Sequence, residues 1–315
     1  MKRILVTTIR RGRPIEDSGA AYVVDWDTHK VIAQCGMLPV NARFPRNPRG
    51  GIRGLRGCCV GSYSAHKFLP ESTNDFYLYI ATNDTVCVLD PSLELQGTIH
   101  NPLFCNLHDL VFRGEQLYAV SCGIDSIVNV YAPDDVLLEG SNIVNMPRFI
   151  RFDHMDRHGT QRPNSVAFFK ERTAVSFAAK NSIVINPDSA GDGKRSQNVF
   201  SASGIQKPHS LVWYHKLYFT SAAIRKVMCM DVKNGGLTEV YTDKKPWWFR
   251  DTKMTQWGWL RGLAITKYDR MFVGSSPYAR IISKHLYRNS VDELRLSKFK
   301  HETVSAIALF PGDWE

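Results

Sequence analysis

The sequence predicts an all-β fold and, within that class, a six-bladed β-propeller. Three observations predict it. Short runs rich in Val, Ile, Tyr, Phe and Thr alternate with Gly, Asn, Asp and Pro, helical periodicity is scarce, and one pattern of strands recurs along the chain. A length of 315 residues with 43% hydrophobic residues can form one large domain or two ordinary ones. We expect a single domain over residues 1–315, because the repeat runs through the chain.

Each copy of the repeat begins with a polar residue and a small or acidic residue that lead into an apolar strand. A turn, a second strand rich in aromatic residues, a loop of small residues and a third strand follow. The clearest copy runs from Leu107 to Tyr131. The copies start near residues 56, 108, 164, 209, 261 and 304, so they are spaced by 43 to 56 residues. This is about the length of one four-stranded propeller blade, so six starts predict six blades.

The two ends of the chain are expected to form the last blade together. The copy that starts near residue 304 has room for one strand, and the N-terminus offers three, at residues 4–8, 20–26 and 31–37. An open ring would leave strand edges unpaired, which favours a ring closed by joining both ends. A seven-bladed WD40 ring is less favoured, because Trp26-Asp27 is a single isolated dipeptide and the period is too long.

The charge and the cysteines indicate an environment and a class of ligand. The chain has 40 Lys and Arg against 30 Asp and Glu, a net charge of +10 that attracts anions. Seven cysteines with no Cys-x-x-Cys pair are typical of reduced thiols. No apolar run approaches the roughly 20 residues of a membrane-spanning helix, and the start lacks the apolar stretch of a signal peptide. We therefore expect a cytoplasmic protein with no membrane partner.

The start of each innermost strand lines the mouth of the central channel in a propeller. The repeat therefore predicts a ring of polar side chains from five blades, namely Arg56, His108, Asn164, His209 and Arg261. Arginine binds carboxylate, phosphate and sulfate oxygens through two parallel hydrogen bonds. We predict that Arg56 and Arg261 clamp an anionic substrate and that Asn164 orients it. The alternative is that these side chains only satisfy backbone groups of neighbouring blades.

Further arginines are expected at the same face. Arg53 belongs to an arginine-rich connection, whereas Arg225 and Arg280 lie in loops between second and third strands, and all three are predicted to bind substrate. The N-terminal loop adds Arg10, Arg11 and Arg13, which are predicted to make this face basic.

Two histidines are the predicted catalytic residues. His108 and His209 can divide general acid and base roles near pH 7, or they can hold a divalent transition metal. A metal needs at least a third ligand, and Asp109 and Asp125 are near. The alternative is that each histidine donates to a neighbouring carbonyl. Cys122 lies on a predicted mouth loop where basic neighbours could lower its thiol pKa, which makes it a candidate nucleophile or else a packing residue.

Two functional hypotheses of different classes follow, with a structural scaffold as a third. The first is an enzyme that acts on an anionic small molecule or acidic peptide by hydrolysis, elimination, isomerisation or group transfer. The second is a non-catalytic module that binds an acidic protein, a glycan or, less favoured, nucleic acid, through the basic and Trp-rich residues 244–250, Trp257 and Trp259. No nucleotide cofactor is expected, because Gly50-Gly51 and Gly235-Gly236 lack the surroundings of a phosphate-binding loop.

The motifs at residues 208–213, 260–263 and 272–275 resemble those of six-bladed propellers of the DUF4915 type. That resemblance implies the fold more than an activity. The architecture is also similar to the gluconolactonase and paraoxonase group, which holds calcium with Glu, Asn and Asp. Calcium is disfavoured here, because the matching positions are Arg56, His108, His209 and Arg261. Arylsulfotransferase propellers resemble this chain in the type of channel residue, namely His108, Asn164, His209 and Arg261, but no nucleophile is carried over.

Overall fold

The computed structural model describes residues 1–40, 54–62, 76–101, 103–130, 149–151, 162–170, 172–187, 198–244 and 258–314. Over these residues 24 strands form six antiparallel sheets of four strands each. The predicted all-β, six-bladed propeller is confirmed. None of the helical turns in these ranges is long and apolar enough to cross a membrane.

The blades follow one another along the chain. The first three strands and the last strand belong to the same blade, the closing blade. This closing blade begins with β1 (Arg3–Arg10), β2 (Gly19–Asp25) and β3 (Lys30–Cys35). Blade 1 contains β4 (Cys58–Ser62), β5 (Phe76–Ala81), β6 (Val86–Leu89) and β7 (Leu95–Ile99). Blade 2 contains β8 (Leu107–Arg113), β9 (Gln116–Ser121), β10 (Ser126–Asn129) and β11 (Phe149–Arg151).

The second half of the ring repeats this order. Blade 3 contains β12 (Pro163–Phe169), β13 (Arg172–Phe177), β14 (Ser182–Pro187) and β15 (Asn198–Phe200). Blade 4 contains β16 (Pro208–Tyr214), β17 (Lys216–Ser221), β18 (Lys226–Met230) and β19 (Leu237–Thr242). Blade 5 contains β20 (Arg261–Ile265), β21 (Arg270–Ser275), β22 (Arg280–His285) and β23 (Val291–Arg295), and β24 (Glu302–Leu309) returns to the closing blade.

Both ends of the chain share the closing blade, as predicted. Its strand order is β24-β1-β2-β3, and β1 pairs antiparallel with β24 from Ile4 opposite Leu309 to Arg10 opposite Glu302. The six innermost strands begin within two residues of the positions expected from the repeat. The N-terminal strands therefore remove the edge that β24 alone would expose.

Among the described residues the hydrophobic core forms six clusters, one between each pair of neighbouring blades. Alternation along each strand produces them, because successive side chains point to opposite faces of a sheet. In β2, for example, Tyr22 and Val24 pack towards blade 5, whereas Val23 packs towards blade 1. Each blade thus buries both faces only when it has two neighbours, which is why the ring must close.

The inner strands converge so closely at the channel that the second residue of some repeats must be glycine. A Cβ atom on Gly57 would lie 2.5 Å from the Cα atom of Asp109 on the next blade. Gly262 has φ of +69°, and its Cβ atom would lie 2.9 Å from the carbonyl carbon of Ala306. These glycines set the spacing between neighbouring blades around the channel.

We expect Gly57→Ala to lower the free energy of unfolding by about 1–3 kcal/mol, because the added methyl group forces two inner strands apart. Urea denaturation measures the change. Gly97→Ala on the outer strand β7 is the matched control, since nothing lies within 4 Å of its added Cβ atom. Equal losses in both variants would contradict this account of the spacing.

Candidate functional site at the channel

A β-bulge near the start of most inner strands shapes the site. The pairing register shifts between Leu107 and Asp109 in blade 2, and equivalent shifts occur in β12, β16, β20 and along the β24 pairing. A bulge inserts an extra residue, bends the strand and redirects side chains. As a result two successive residues at a strand start, such as His108 and Asp109, both face the channel.

The bulged strand starts surround a pocket of about 170 Å³ that receives residues from all six blades. Four members of the predicted ring line it, namely His108, Asn164, His209 and Arg261. The fifth, Arg56, is buried and reaches the ring through His108. The pocket therefore gathers residues that are distant in the chain, up to 249 positions apart for Cys58 and Ile307.

His108 is held by Arg56. The Arg56 guanidinium Nη1 lies 2.7 Å from His108 Nε2. Arginine only donates, so His108 Nε2 accepts and the imidazole is neutral in this arrangement, with its proton on Nδ1. The lone pair of Nε2, through which His108 would bind a metal ion, therefore accepts a hydrogen bond from Arg56.

His209 is neutral for a different reason. Its Nδ1–H donates to the Lys207 carbonyl oxygen at 2.8 Å, which leaves Nε2 as the nitrogen with the lone pair. Burial lowers the pKa of His209 to about 3, and the nearby positive charge of Arg261 contributes in the same direction. Near neutral pH His209 is therefore a hydrogen-bond acceptor towards the pocket and carries no charge.

Asp109 is a functional candidate that lies outside the predicted ring. The Ser165 hydroxyl donates to Asp109 Oδ2 at 2.5 Å, and the Leu110 N–H donates to Oδ1 at 3.0 Å. The side chain lines the pocket and is half-buried. Burial raises the pKa of Asp109 to about 7, against the hydrogen bonds that favour its charged form.

A sequence signal for Asp109 exists at the second position of the repeat. The residues there are Gly57, Asp109, Ser165, Ser210, Gly262 and Ser305, so Asp109 is the one acidic member of the six. Serines at this second position form hydrogen bonds to the next blade. Ser165 Oγ accepts from the Leu211 N–H at 2.8 Å, and Ser210 Oγ accepts from the Gly262 N–H at 2.8 Å. Ser165 Oγ thus accepts a hydrogen bond from the Leu211 N–H and donates its own hydrogen to Asp109.

Arg261 and Asn164 line the same pocket, and the exposed Lys207 lies near Arg261 at the ring of Trp259. Arg261 is half-buried, and its guanidinium carbon lies 5.8 Å from the ring centre of Trp259. Lys207 Nζ lies 5.2 Å from the same ring centre. Asn164 is buried at the pocket wall. This end of the pocket is therefore positive, with an amide that can orient a bound group.

The other predicted site residues occupy different places. Arg280 is buried and pairs with Asp243 at 2.5 Å and Glu293 at 2.9 Å, so it connects blades 4 and 5. Arg225 ends a helical turn between β17 and β18. Cys122 is buried in the equivalent turn of blade 2. None of these three is among the described residues that line the pocket, and Arg53 lies outside the described residues.

The donor atoms do not fit the metal site suggested for His108 and His209. Within the described ranges no group of three or more His, Cys, Asp and Glu side chains could hold a metal ion. His108 Nε2 is bonded to Arg56, and Asp125 accepts from the Arg162 N–H at 2.6 Å. Cys58 lines the pocket, but burial raises the pKa of its thiol well above the usual range, which disfavours a nucleophilic role.

Comparison with known proteins supports the fold and no closer relationship. No protein-family model and no curated protein matches the chain, so the resemblance to the DUF4915 type is not confirmed.

Many solved structures share the architecture, including the following three. A chain from a nidogen/laminin complex is similar at 10% identity with a TM-score of 0.59, over 98% of both chains. A Lactobacillus plantarum protein is similar at 12% identity with a TM-score of 0.53, over 97% of this chain and 83% of that one. A candidate 6-phosphogluconolactonase from Bacteroides uniformis is similar at 8% identity with a TM-score of 0.50, over 93% and 81%. At these identities the likeness shows one thing, that the chain has the propeller fold.

Proposed function

We propose that this protein is an enzyme that binds a small anionic molecule in the channel pocket and transfers a proton to or from it. One observation carries the proposal: Asp109, His209 and Arg261 converge on a single pocket. Their properties are complementary, because Asp109 exchanges a proton near neutral pH, His209 stays a neutral acceptor and Arg261 keeps a positive charge.

The charges around the pocket favour an anionic ligand of limited size. Arg261 supplies a fork of donors, Lys207 adds a second nearby cation, and the net charge of +10 attracts anions from solution. A volume of about 170 Å³ accommodates a small molecule and excludes a folded polymer from the interior. An acidic peptide could enter only by a single side chain, so we favour the small molecule.

Asp109 replaces the two histidines as the proposed proton-transfer group. A carboxyl with a pKa of about 7 is populated in both forms at neutral pH, which suits a general acid or base. His209 would accept a hydrogen bond from the ligand, and Asn164 would orient it. Elimination and isomerisation need proton transfer and stabilisation of negative charge, which these residues supply, so we favour them over hydrolysis and group transfer.

The test combines binding with proton exchange. Small carboxylates, phosphates and sulfates are screened for a rise in the melting temperature, and each binder is then incubated with the protein in D2O. We expect proton NMR to show exchange of a C–H bond next to the anionic group, and Asp109→Asn to abolish it. Binding with no exchange, or with equal exchange in both proteins, would overturn the catalytic proposal and favour the non-catalytic binding module.

Arg261→Gln is expected to weaken the binding of such an anion by about 10- to 100-fold, since a hydrogen bond to a charged group contributes roughly 1.5–3 kcal/mol. Isothermal titration calorimetry measures the change. Arg225→Gln is the control, because Arg225 does not line the pocket. Similar losses in both variants would indicate a general effect of charge instead of a specific contact.

We also propose a cytoplasmic location, supported by seven free thiols. Membership of the DUF4915-type group stays a prediction.

A further inference from the structure

The pocket changes in polarity along the channel. In three inner strands a polar residue near the strand start is followed two positions later by a branched apolar residue, as in Asp109 and Val111, Ser210 and Val212, and Ser305 and Ile307. Residues two apart in a strand lie on one face, about 7 Å from each other. The pocket therefore has a polar end at the strand starts and an apolar end deeper in the channel.

The apolar end offers surface that a ligand can cover. Val111 and Val212 are half-buried, and Val212 packs against the cluster that contains the buried Leu263. Covering apolar surface stabilises a complex in proportion to the area removed from water. An inorganic anion held by Arg261 would leave Val111 and Val212 in contact with water. A ligand that carries a hydrocarbon group beyond its anionic group would cover them.

The volume limits that hydrocarbon group. An engineered protein cavity of about 150 Å³ accommodates benzene, so about 170 Å³ is of similar capacity. An anionic group takes part of this space, which leaves room for about four carbon atoms. A planar carboxylate uses less of the pocket than a tetrahedral phosphate, and it matches the two parallel hydrogen bonds that Arg261 can donate.

We infer that the ligand of this pocket is a carboxylate with a short hydrocarbon group, bound with the carboxylate at Arg261 and the hydrocarbon against Val111 and Val212. This inference rests on the proposed function, because it assumes that the pocket binds an anion. It adds a chemical class and an orientation that the charges alone do not provide.

A homologous series tests the inference. Formate, acetate, propionate, butyrate, pentanoate and hexanoate, with inorganic phosphate beside them, are titrated into the full chain at constant ionic strength by isothermal titration calorimetry. We expect affinity to rise about fourfold for each added methylene group until the hydrocarbon group has about four carbons, and then to fall. Phosphate is expected to bind more weakly than butyrate.

Matched variants assign the two ends of the ligand. Val212→Thr and Val111→Thr keep the side-chain shape but replace a methyl group with a hydroxyl, so each should reduce the gain per methylene while leaving formate affinity unchanged. Val31→Thr on the exposed outer strand β3 is the control and should leave the whole series unchanged. Arg261→Gln should weaken every carboxylate by a similar factor and keep the gain per methylene.

The outcomes separate this inference from the function on which it rests. Equal affinity along the series, or tighter binding of phosphate than of every carboxylate, would overturn the inference and leave an anion site. A gain per methylene that persists unchanged in both threonine variants would overturn the orientation. Failure of every anion to bind the wild-type protein would overturn the proposed function together with the inference.

Discussion

Arg10→Ala is expected to lower the free energy of unfolding by about 2–4 kcal/mol, because it removes the cation that neutralises a buried carboxylate where the ring closes. Glu302, at the start of β24, is fully buried. Arg10 Nε donates to Glu302 Oε2 at 3.0 Å. Thr8 and Tyr22 donate their hydroxyls to Glu302 Oε1 at 2.5 Å and 3.0 Å. All of these bonds join the two ends of the chain.

The size of the effect follows from what remains in the variant. Breaking a buried ion pair by removing one partner typically costs about 3–5 kcal/mol, because the other charge stays buried without compensation. Arg10 itself is 23% exposed, so water can reach Glu302 in part and we place the loss towards the lower side. A loss of this size is a large fraction of the stability of an ordinary domain.

Three variants measured by urea denaturation distinguish the ion pair from other roles of Arg10. The double variant Arg10→Ala/Glu302→Gln should regain a substantial part of the loss, since it removes the stranded charge. Arg13→Ala is the control, because Arg13 is 47% exposed, its ion pair with Asp17 spans 3.5 Å and its guanidinium lies 4.5 Å from the Phe299 ring centre. We expect a change within about 1 kcal/mol there. Equal losses for Arg10→Ala and Arg13→Ala would contradict the role of the ring-closing pair.

The closure of the ring was predictable, but the chemistry of its ion pairs was not. Strand patterns and the count of repeats are local features, and they place both ends of the chain in one blade. Arg10 is predicted from the sequence to contribute to the basic mouth, whereas the structure pairs it with Glu302, which is 292 positions away. Arg280 is a second case, since its partner Asp243 belongs to the preceding blade. Charge can be counted from a sequence, but ion pairing depends on the register of distant strands.

The candidate site was predictable at the level of the ring. The repeat aligns His108, Asn164, His209 and Arg261, and all four line the pocket. The β-bulges could not be predicted from the pattern, because a period of two gives no sign of one extra residue in a strand. The bulge in β8 brings Asp109 to the pocket beside His108, and so the acidic residue was missed.

Asp109→Asn is expected to stabilise the protein at pH 8 by up to about 4 kcal/mol and to leave its stability at pH 4 nearly unchanged. In the unfolded chain Asp109 loses its proton near pH 3.8, whereas the folded protein holds the proton until about pH 7. Between these values the folded state binds more protons, so its stability falls as the pH rises. The cost is complete above pH 7, and asparagine does not incur it.

The surroundings of Asp109 support this direction. The titratable and charged side chains around the pocket are Cys58, His108, His209 and Arg261, with Arg56 behind His108. Burial is the main cause of the raised pKa of Asp109, and the Ser165 hydroxyl opposes it in part. Ser165→Ala should therefore raise the pKa of Asp109 further and move the loss of stability to higher pH. Asparagine can still accept the Ser165 hydroxyl, so Asp109→Asn changes charge with little change in shape.

Urea denaturation of the wild-type protein and Asp109→Asn across pH 4 to 8 measures the difference, with Asp27→Asn at an exposed position as the control. The difference in free energy of unfolding from the wild-type protein should widen with pH for Asp109→Asn and stay constant for Asp27→Asn. A constant difference would mean that Asp109 is ionised throughout in the folded protein and would remove it as a proton donor near neutral pH. A widening difference would mean that the folded protein contains a carboxyl whose ionisation lowers its stability. That cost is understandable if the carboxyl performs proton transfer, because the low-polarity environment that destabilises its charge also brings its pKa to the working pH.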